Sequence, residues 1–354
     1  MSVTIKDIAR EIGISASAVS KAINGYSDIS EETRQRVLEA VRRMGYTPNI
    51  LARGLIRRQT NTIGLFVLSR SNKGFSHSFS SEVIAGIMDC AGVRGYELLL
   101  YSTNGPTPGK QVSYRGLCHE RQIDAAIFMG LRTDDPGIEE LKTVDFPVAT
   151  LDVPIRGGKA ICVGGDNVEG AYMATSHLIS IGHRRIAYIN GHAQAIVSQE
   201  RLTGYLRALS DNGIPEDNSL VVEGAFTEES GAEATKRLLG LPNPPTAVFA
   251  ACDSMAIGAM SVAAMRNLKV PDDLAVVGYD DIPLAAVAEV PLTTIRQDGY
   301  AIGYKAAEVV INDIERGSTA ARRVLMGVEL VVRESCGARK KGLYRGNTGI
   351  KQRV

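Results

Sequence analysis

The spacing of apolar residues changes character once along the chain, near residue 60. Before that point it is helical. Ile5, Ile8, Ala9 and Ile12 share one face, which predicts a helix opened by Thr4 and closed by Gly13. A short hydroxyl side chain can accept from first-turn N–H groups, and glycine tolerates the left-handed turn that ends a helix. Ser15 opens a second helix, Ala16–Ile23. Ile14, Val19, Ala22 and Ile23 face inward there, and the other positions are small or polar. Asn24-Gly25 breaks the chain. Ser30 opens a third helix, with Glu31 and Glu32 near its positive end, Val37, Leu38, Val41 and Met44 inside, and Gly45 as its stop. Short helices joined by a glycine turn form a helix-turn-helix unit.

After Thr60, short apolar runs alternate with helical stretches. The runs are Ile63–Leu68, Tyr96–Tyr101, Ala125–Met129, Val148–Leu151, Ile186–Ile189, Leu220–Val222, Ala247–Ala250 and Leu274–Val277. Continuous apolar strands separated by helices predict parallel sheets covered on both faces. About 280 residues of this pattern exceed what one sheet holds, so two α/β lobes are expected. The predicted fold class is a small all-α headpiece followed by a two-lobed α/β body. Ligands in such bodies lie outside the carboxyl ends of the strands, where Asp152, Asp166, Asp253, Asp280 and Asp281 fall. Arg201 is expected to start a helix, Arg201–Leu209. Carboxylates beside a guanidinium suit a polyhydroxyl ligand, because the acids accept from hydroxyls and Arg donates a planar fork.

Charge sharpens this division. The net charge of +1 hides +4 on residues 1–58, −9 on 59–337 and +6 on 338–354. A basic headpiece on an acidic body points to a polyanion partner for the headpiece. The tail, 338–354, is basic and poor in apolar residues. It is expected to be disordered and to lack the heptads of a tetramerising helix. Five scattered cysteines without a C-x-x-C pair predict neither disulfides nor a metal site, and fit a reducing cytoplasm. With no secretory leader and no run of 18 apolar residues, no membrane span is expected. G-x-x-x-x-G-K-[ST] and G-x-S-x-G are absent, so no enzyme chemistry and no cofactor are expected. His177 and His183 read as packing and capping residues.

The segment VTIKDIAREIGISASAVSKAINGYSDISEETRQRVLEAVRRMGYTPNILARGL resembles the headpiece and hinge of the lactose-repressor (LacI/GalR) family. GHRRIAYINGH, ERLTGYLRAL, ACDSMAIGAM, VPDDLAVVGYDDIPLA and PLTTIRQD are similar to that family's regulatory domain, which is related to periplasmic sugar-binding proteins. The resemblance implies a headpiece over 1–46, a hinge over 47–59 and an effector domain over 60–337. It places the N-lobe at about 60–160 and 292–320, and the C-lobe at about 161–291 and 321–337. The lobes would be joined by crossings near 158–164, 288–294 and 318–323. It implies that Ala16, Ser17 and Lys21 face base edges, with Lys21 on guanine and Ala16 on a thymine methyl. Thr4, Ser20, Asn24, Ser30 and Thr33 would hold phosphates. Ser15, Asn49 and Ala52 join that DNA-facing set, and Leu55 would wedge into the minor groove. Arg201 and Asp280 would contact the effector, with Asp152, Asp253, Phe226, Met129 and Phe79 around it. Cys252 stands where the family often has Asn, and Gly54 weakens the hinge helix.

The implied protein is a homodimeric repressor of carbohydrate genes on a pseudo-palindromic DNA operator, released by a sugar-like effector. The rival readings are a sugar-binding protein of a transport system, or control by a nucleobase or by a phosphorylated carrier protein.

Overall fold

In a computed structural model the structure describes residues 3–46, 60–68, 78–103, 113–317, 322–338 and 342. The expected hinge, 47–59, lies outside the described residues, as does most of the tail. Two units separate near Thr60.

The first unit holds α1 (Ile5–Ile12), α2 (Ala16–Ile23) and α3 (Glu31–Met44). Each begins at a side-chain cap. Thr4 and Asp7 form a reciprocal capping box, Ser15 accepts from Ala18 N–H, and Ser30 accepts from Thr33 N–H. Gly13 and Gly45 close α1 and α3 in the left-handed conformation. Ile8, Ala9, Val19, Ala22, Val37 and Ala40 form the buried centre. The three helices therefore meet through small and branched side chains.

The second unit contains two six-stranded sheets. Sheet one runs β11 (Arg323–Met326), β5 (Ile161–Gly165), β4 (Val148–Leu151), β3 (Ala125–Met129), β1 (Thr62–Leu68), β2 (Glu97–Thr103), all parallel. Sheet two runs β12 (Val328–Val331), β10 (Thr293–Gln297), β9 (Ala275–Asp280), β8 (Ala247–Ala250), β6 (Ile186–Asn190), β7 (Val221–Glu223). Only β12 is antiparallel in it, opposite β10.

Helices α4 (Ser78–Val93) and α12 (Gly299–Arg316) pack together against sheet one. α5 (Tyr114–Glu120) and α6 (Gly137–Leu141) also belong to that lobe. α7 (Asn167–Ser180), α8 (Ile196–Asp211), α9 (Glu228–Leu238), α10 (Asp253–Met265) and α11 (Pro283–Val287) belong to the second lobe. Helix α8 starts five residues before the expected Arg201. The intervening Ile196 and Val197 are only half-buried, so the inward stripe does not mark the start.

The expected lobe boundaries are corrected. Ile161 pairs with Ala149, which keeps β5 in sheet one. Thr293 pairs with Val277, which keeps β10 in sheet two. The chain crosses between lobes at Asp166, Asp298 and Gly327, a few residues later than expected. An apolar run looks alike in either sheet; only its pairing partner, distant in sequence, decides. At two crossings an aspartate ends a strand of one lobe and caps a helix of the other. Asp166 caps α7 and Asp298 caps α12. The tail boundary also moves, because Ala338 is fully buried in the second lobe's core.

Close approach of α4 and α12 requires glycine. A Cβ on Gly303 would lie 1.9 Å from the Val83 carbonyl oxygen, and one on Gly86 would lie 2.0 Å from that of Tyr300. Gly303→Val is expected to destabilise the body by about 3 kcal/mol, because overpacking displaces a whole helix. Gly92→Ala, where a Cβ meets open space, is expected to be neutral or to stabilise by up to about 1 kcal/mol. Denaturant titration of the two variants checks the pair, and equal midpoints would contradict the close crossing.

Candidate functional site

The second unit gathers charge between its lobes. Arg201, on the second turn of α8, is 4% exposed. Its Nε donates to Asn167 Oδ1 at 2.9 Å and its Nη1 donates to the Ala251 carbonyl. Its Nη2 stands 3.7 Å from Asp280 Oδ1, and the guanidinium lies 3.6 Å over the Tyr279 ring. Asp280 ends β9 with φ 110°, and its Oδ1 also accepts from Gln297 Nε2 at 2.7 Å. From the first lobe, Asp152 follows β4 at φ 64°, its carboxylate lying against Gly164. Left-handed backbone is unusual for such residues, and strain of this kind clusters at binding sites.

Asp152, Asp280 and Arg201 are within electrostatic reach of one another. Burial pushes the Asp152 carboxyl up to about 6, against the opposing pull of Arg201. Burial does the same to Asp280, again to about 6, with Arg201 and Gln297 opposing. Arg201 thus faces Asp280 directly and Asp152 electrostatically, while Arg323 also draws the Asp152 carboxyl down and Glu200 pushes it up.

The lobes touch beside this cluster. Glu200, next to Arg201, pairs with Arg323 of β11 and accepts from Asn167 Nδ2 at 3.1 Å. The Gln194 carbonyl accepts from Thr133 N–H at 3.0 Å and from its hydroxyl at 3.2 Å. Ile196 packs against the first lobe's cluster around Val153 and Ile155.

Other expected contacts fare differently. Asp253 is fully buried and uses both oxygens internally. Oδ1 accepts from the Thr294 hydroxyl and Oδ2 from Ile282 N–H. It braces the turn into α11 and has no oxygen facing a ligand, so its place among the effector contacts is corrected. An acid after a strand looks the same in sequence whether it caps or binds. Phe226, at φ 60°, lies against Gly191 and meets the His192 ring edge-on at 5.5 Å. Met129 ends β3 and Phe79 lies on α4; both are half-buried beside the first lobe's core. Asn167 and Gln297 were not foreseen, although each sits one residue from a lobe crossing. Cys252 is buried, its thiol pushed up by that burial. His177 meets Cys336 Sγ at 3.3 Å, and His183 meets the Thr246 hydroxyl at 3.0 Å.

In the headpiece, Ser17 is exposed and Ala16 is partly drawn into the core. Thr4, Ser15 and Ser30 serve as helix caps. Asn24 Nδ2 donates to the Ser20 carbonyl at 2.8 Å, and the Ser30 and Thr33 hydroxyls meet at 2.9 Å. Lys21 is ion-paired with Asp28. Asn49, Ala52 and Leu55 lie outside the described residues.

Residues 4–49 match the model of bacterial regulatory proteins of the lacI family, and residues 175–336 match that of a periplasmic binding protein-like domain. The HTH-type transcriptional regulator DegA of Bacillus subtilis (strain 168) is 34% identical over 340 residues, covering 95% of this chain and 98% of that protein. Catabolite control protein A of Priestia megaterium is 34% identical over 337 residues, covering 95% and 99%. The chain belongs to the LacI family of bacterial transcriptional regulators. The solved Lac repressor dimer bound to operator and the anti-inducer ONPF superposes with a TM-score of 0.81 at 26% identity, covering 95% of this chain and 99% of that one. A CelR–cellobiose complex gives 0.69 at 33% identity, covering 94% and 99%. This LacI-family chain is thus a sequence-specific DNA-binding regulator and not an enzyme. Its relatives are regulators and its headpiece is the family's DNA-binding domain.

The raised carboxyls make the regulator's stability depend on pH. The folded body holds Asp152 at about 6, against an ordinary value of 3.8, so the folded state binds the extra proton. That contribution is full below the ordinary value and is lost as pH rises through about 6. Asp152→Asn is expected to stabilise the ligand-free protein by up to about 2 kcal/mol near pH 7.5, after allowance for screening. The gain should shrink to nothing by about pH 4. Thermal melts across that range check it, and a pH-independent difference would refute the assignment.

Proposed function

We propose that this regulator is a homodimeric repressor of carbohydrate-utilisation genes, acting in the cytoplasm on a pseudo-palindromic operator. A small polyhydroxyl effector, bound between the lobes, releases it from DNA. The observation that carries this reading is the Asp152–Arg201–Asp280 cluster. Two acids from opposite lobes stand within electrostatic reach of Arg201, and their remaining lone pairs call for hydrogen-bond donors. Vicinal hydroxyls supply several donors without adding charge. The CelR–cellobiose complex supports a sugar as the class.

A two-fold dimer mirrors a two-fold site. The apolar residues for such a contact are available on the first lobe: Met88 and Val93 on α4, and Leu99 and Leu100 on edge strand β2. An effector switches the protein only by binding one lobe arrangement better than the other. Control by a nucleobase or by a phosphorylated carrier protein is the rival reading.

Selection of bound fragments from a random DNA pool is expected to enrich a pseudo-palindrome. Melting-point screens with sugars, nucleobases and a phosphorylated carrier protein then separate the effector classes. Asp280→Asn is expected to weaken the stabilising ligand at least about 10-fold, or about 1.4 kcal/mol, while leaving operator affinity intact. Ligand binding unchanged in that variant would move the effector elsewhere. Stabilisation by a nucleobase alone would replace the sugar.

A further inference from the structure

Helix α8 starts before its own lobe needs it. Its buried face begins at Ser198, whereas Ile196 and Val197 are half-buried and Ala195 offers no side-chain cap. The opening of the helix is spent on the other lobe. The Gln194 carbonyl accepts from the Thr133 N–H at 3.0 Å and from its hydroxyl at 3.2 Å. Ile196 packs against the first lobe's cluster that holds Val153 and Ile155. Glu200 pairs with Arg323. These partners follow β3, follow β4 and lie on β11, so the segment meets them in the order of sheet one. On its own side the segment is well braced. Ala195 N–H donates to the His192 carbonyl at 3.1 Å, Gln199 Nε2 to the Ala193 carbonyl at 3.0 Å, and Asn167 Nδ2 to Glu200 at 3.1 Å. Thr133 is held in turn by the bidentate Arg132–Asp134 pair beside it. Two hydrogen bonds, an apolar side chain and an ion pair thus sit on one short braced segment that runs into Arg201. They form and break together.

We propose that residues 194–200 are a strap that holds the lobes together in the ligand-free regulator, and so sets how readily an effector releases it from DNA. The proposal rests on the reading that the effector donates to Asp152 and Asp280 at once and favours release. Such an effector binds where the lobes meet. The strap favours the same arrangement without touching the effector. It offsets part of the repulsion between the two acids before any ligand arrives, and the effector supplies the remainder. A weaker strap leaves more of the protein with its lobes apart, which that reading assigns to operator binding. Effector and operator affinities then move in opposite directions.

The test needs no effector. The Thr133 N–H is bonded across the lobes, so its hydrogen exchange reports how often they part. In the full chain, Ile196→Ala is expected to lower the protection of that amide about 10-fold and to tighten the duplex enriched by selection about 3-fold or more. The Ala126 amide, bonded to the Pro147 carbonyl within the first lobe, should exchange as before. Thr133→Cys with Gln194→Cys places two thiols on residues that a backbone hydrogen bond already joins, within reach of a disulfide. The five native cysteines are buried. Oxidised with glutathione disulfide, this variant is expected to bind the duplex at least about 10-fold more weakly than its reduced form, and to recover with dithiothreitol.

Unchanged Thr133 protection in Ile196→Ala overturns the strap, because the lobes are then held elsewhere. Equal duplex affinity of the oxidised and reduced cysteine variant overturns its link to DNA release. Tighter binding by the oxidised form overturns the reading that lobe contact accompanies release, and the proposal falls with it. Loss of the duplex on oxidation, beside unchanged Thr133 protection in Ile196→Ala, removes the strap alone and leaves that reading standing.

Discussion

One buried cation organises the second lobe. Arg201 keeps its proton under any ordinary condition and is almost wholly withdrawn from water. A charge in that position is tolerated only when its donors are matched. Here the partners come from Asn167 at the start of α7, Ala251 just after β8, and Tyr279 and Asp280 at the end of β9. The carboxyl ends of two strands and the first residue of a crossing helix are thereby tied to one side chain. Arg201 is thus part of the lobe's framework, with its Nε committed to Asn167 and one N–H of Nη1 to Ala251. A ligand bound there, as proposed, would meet the acceptor oxygens of Asp280 and Asp152 beside the remaining guanidinium N–H groups.

The same residues adjoin the lobe crossings. Asn167 follows Asp166, and Gln297 precedes Asp298. Asn167 holds Arg201, and Gln297 holds Asp280. The two crossing strands also run close together, since a Cβ on Gly165 would lie 2.8 Å from Gln297 Oε1. A change in lobe angle must rotate the backbone at these crossings, one residue from the cleft's hydrogen bonds. This contiguity is a physical route by which occupancy of the cleft and the lobe angle can depend on each other. It needs no long relay through the core.

What could be read in the sequence follows from how local each signal is. Thr4, Ser15, Ser30, Gly13 and Gly45 marked helix ends correctly because caps are decided within one turn. The apolar runs marked strands because a strand covered on both faces leaves few polar positions. Lobe membership was not legible for Ile161–Gly165 or Thr293–Gln297, since pairing partners lie far away in sequence. Edge strands β11 and β12 were missed for a related reason. Their side chains are half exposed, so RVLM and VELV make no continuous apolar run. Asp253 and Asp280 both follow strands, yet one is spent inside the lobe and the other faces the cleft. Only the positions of Thr294 and the Ile282 N–H separate them.

Contact between the lobes also bears on what an effector must do. Lobe contact sets Asp152 and Asp280 within electrostatic reach of Arg201, and the two carboxylates repel each other when both are ionised. Glu200–Arg323, the Thr133–Gln194 contacts and Ile196 oppose that repulsion. Lobe contact and ionisation of the two acids therefore oppose each other. A neutral molecule rich in donors would satisfy both acids at once, and only when the lobes are together. An anionic ligand would join Asp152, Asp280 and Glu200 at a site where Arg201 and Arg323 already face those acids. On the proposed reading, differential affinity for one lobe arrangement, which any switch requires, comes from a ligand that donates to both acids at once.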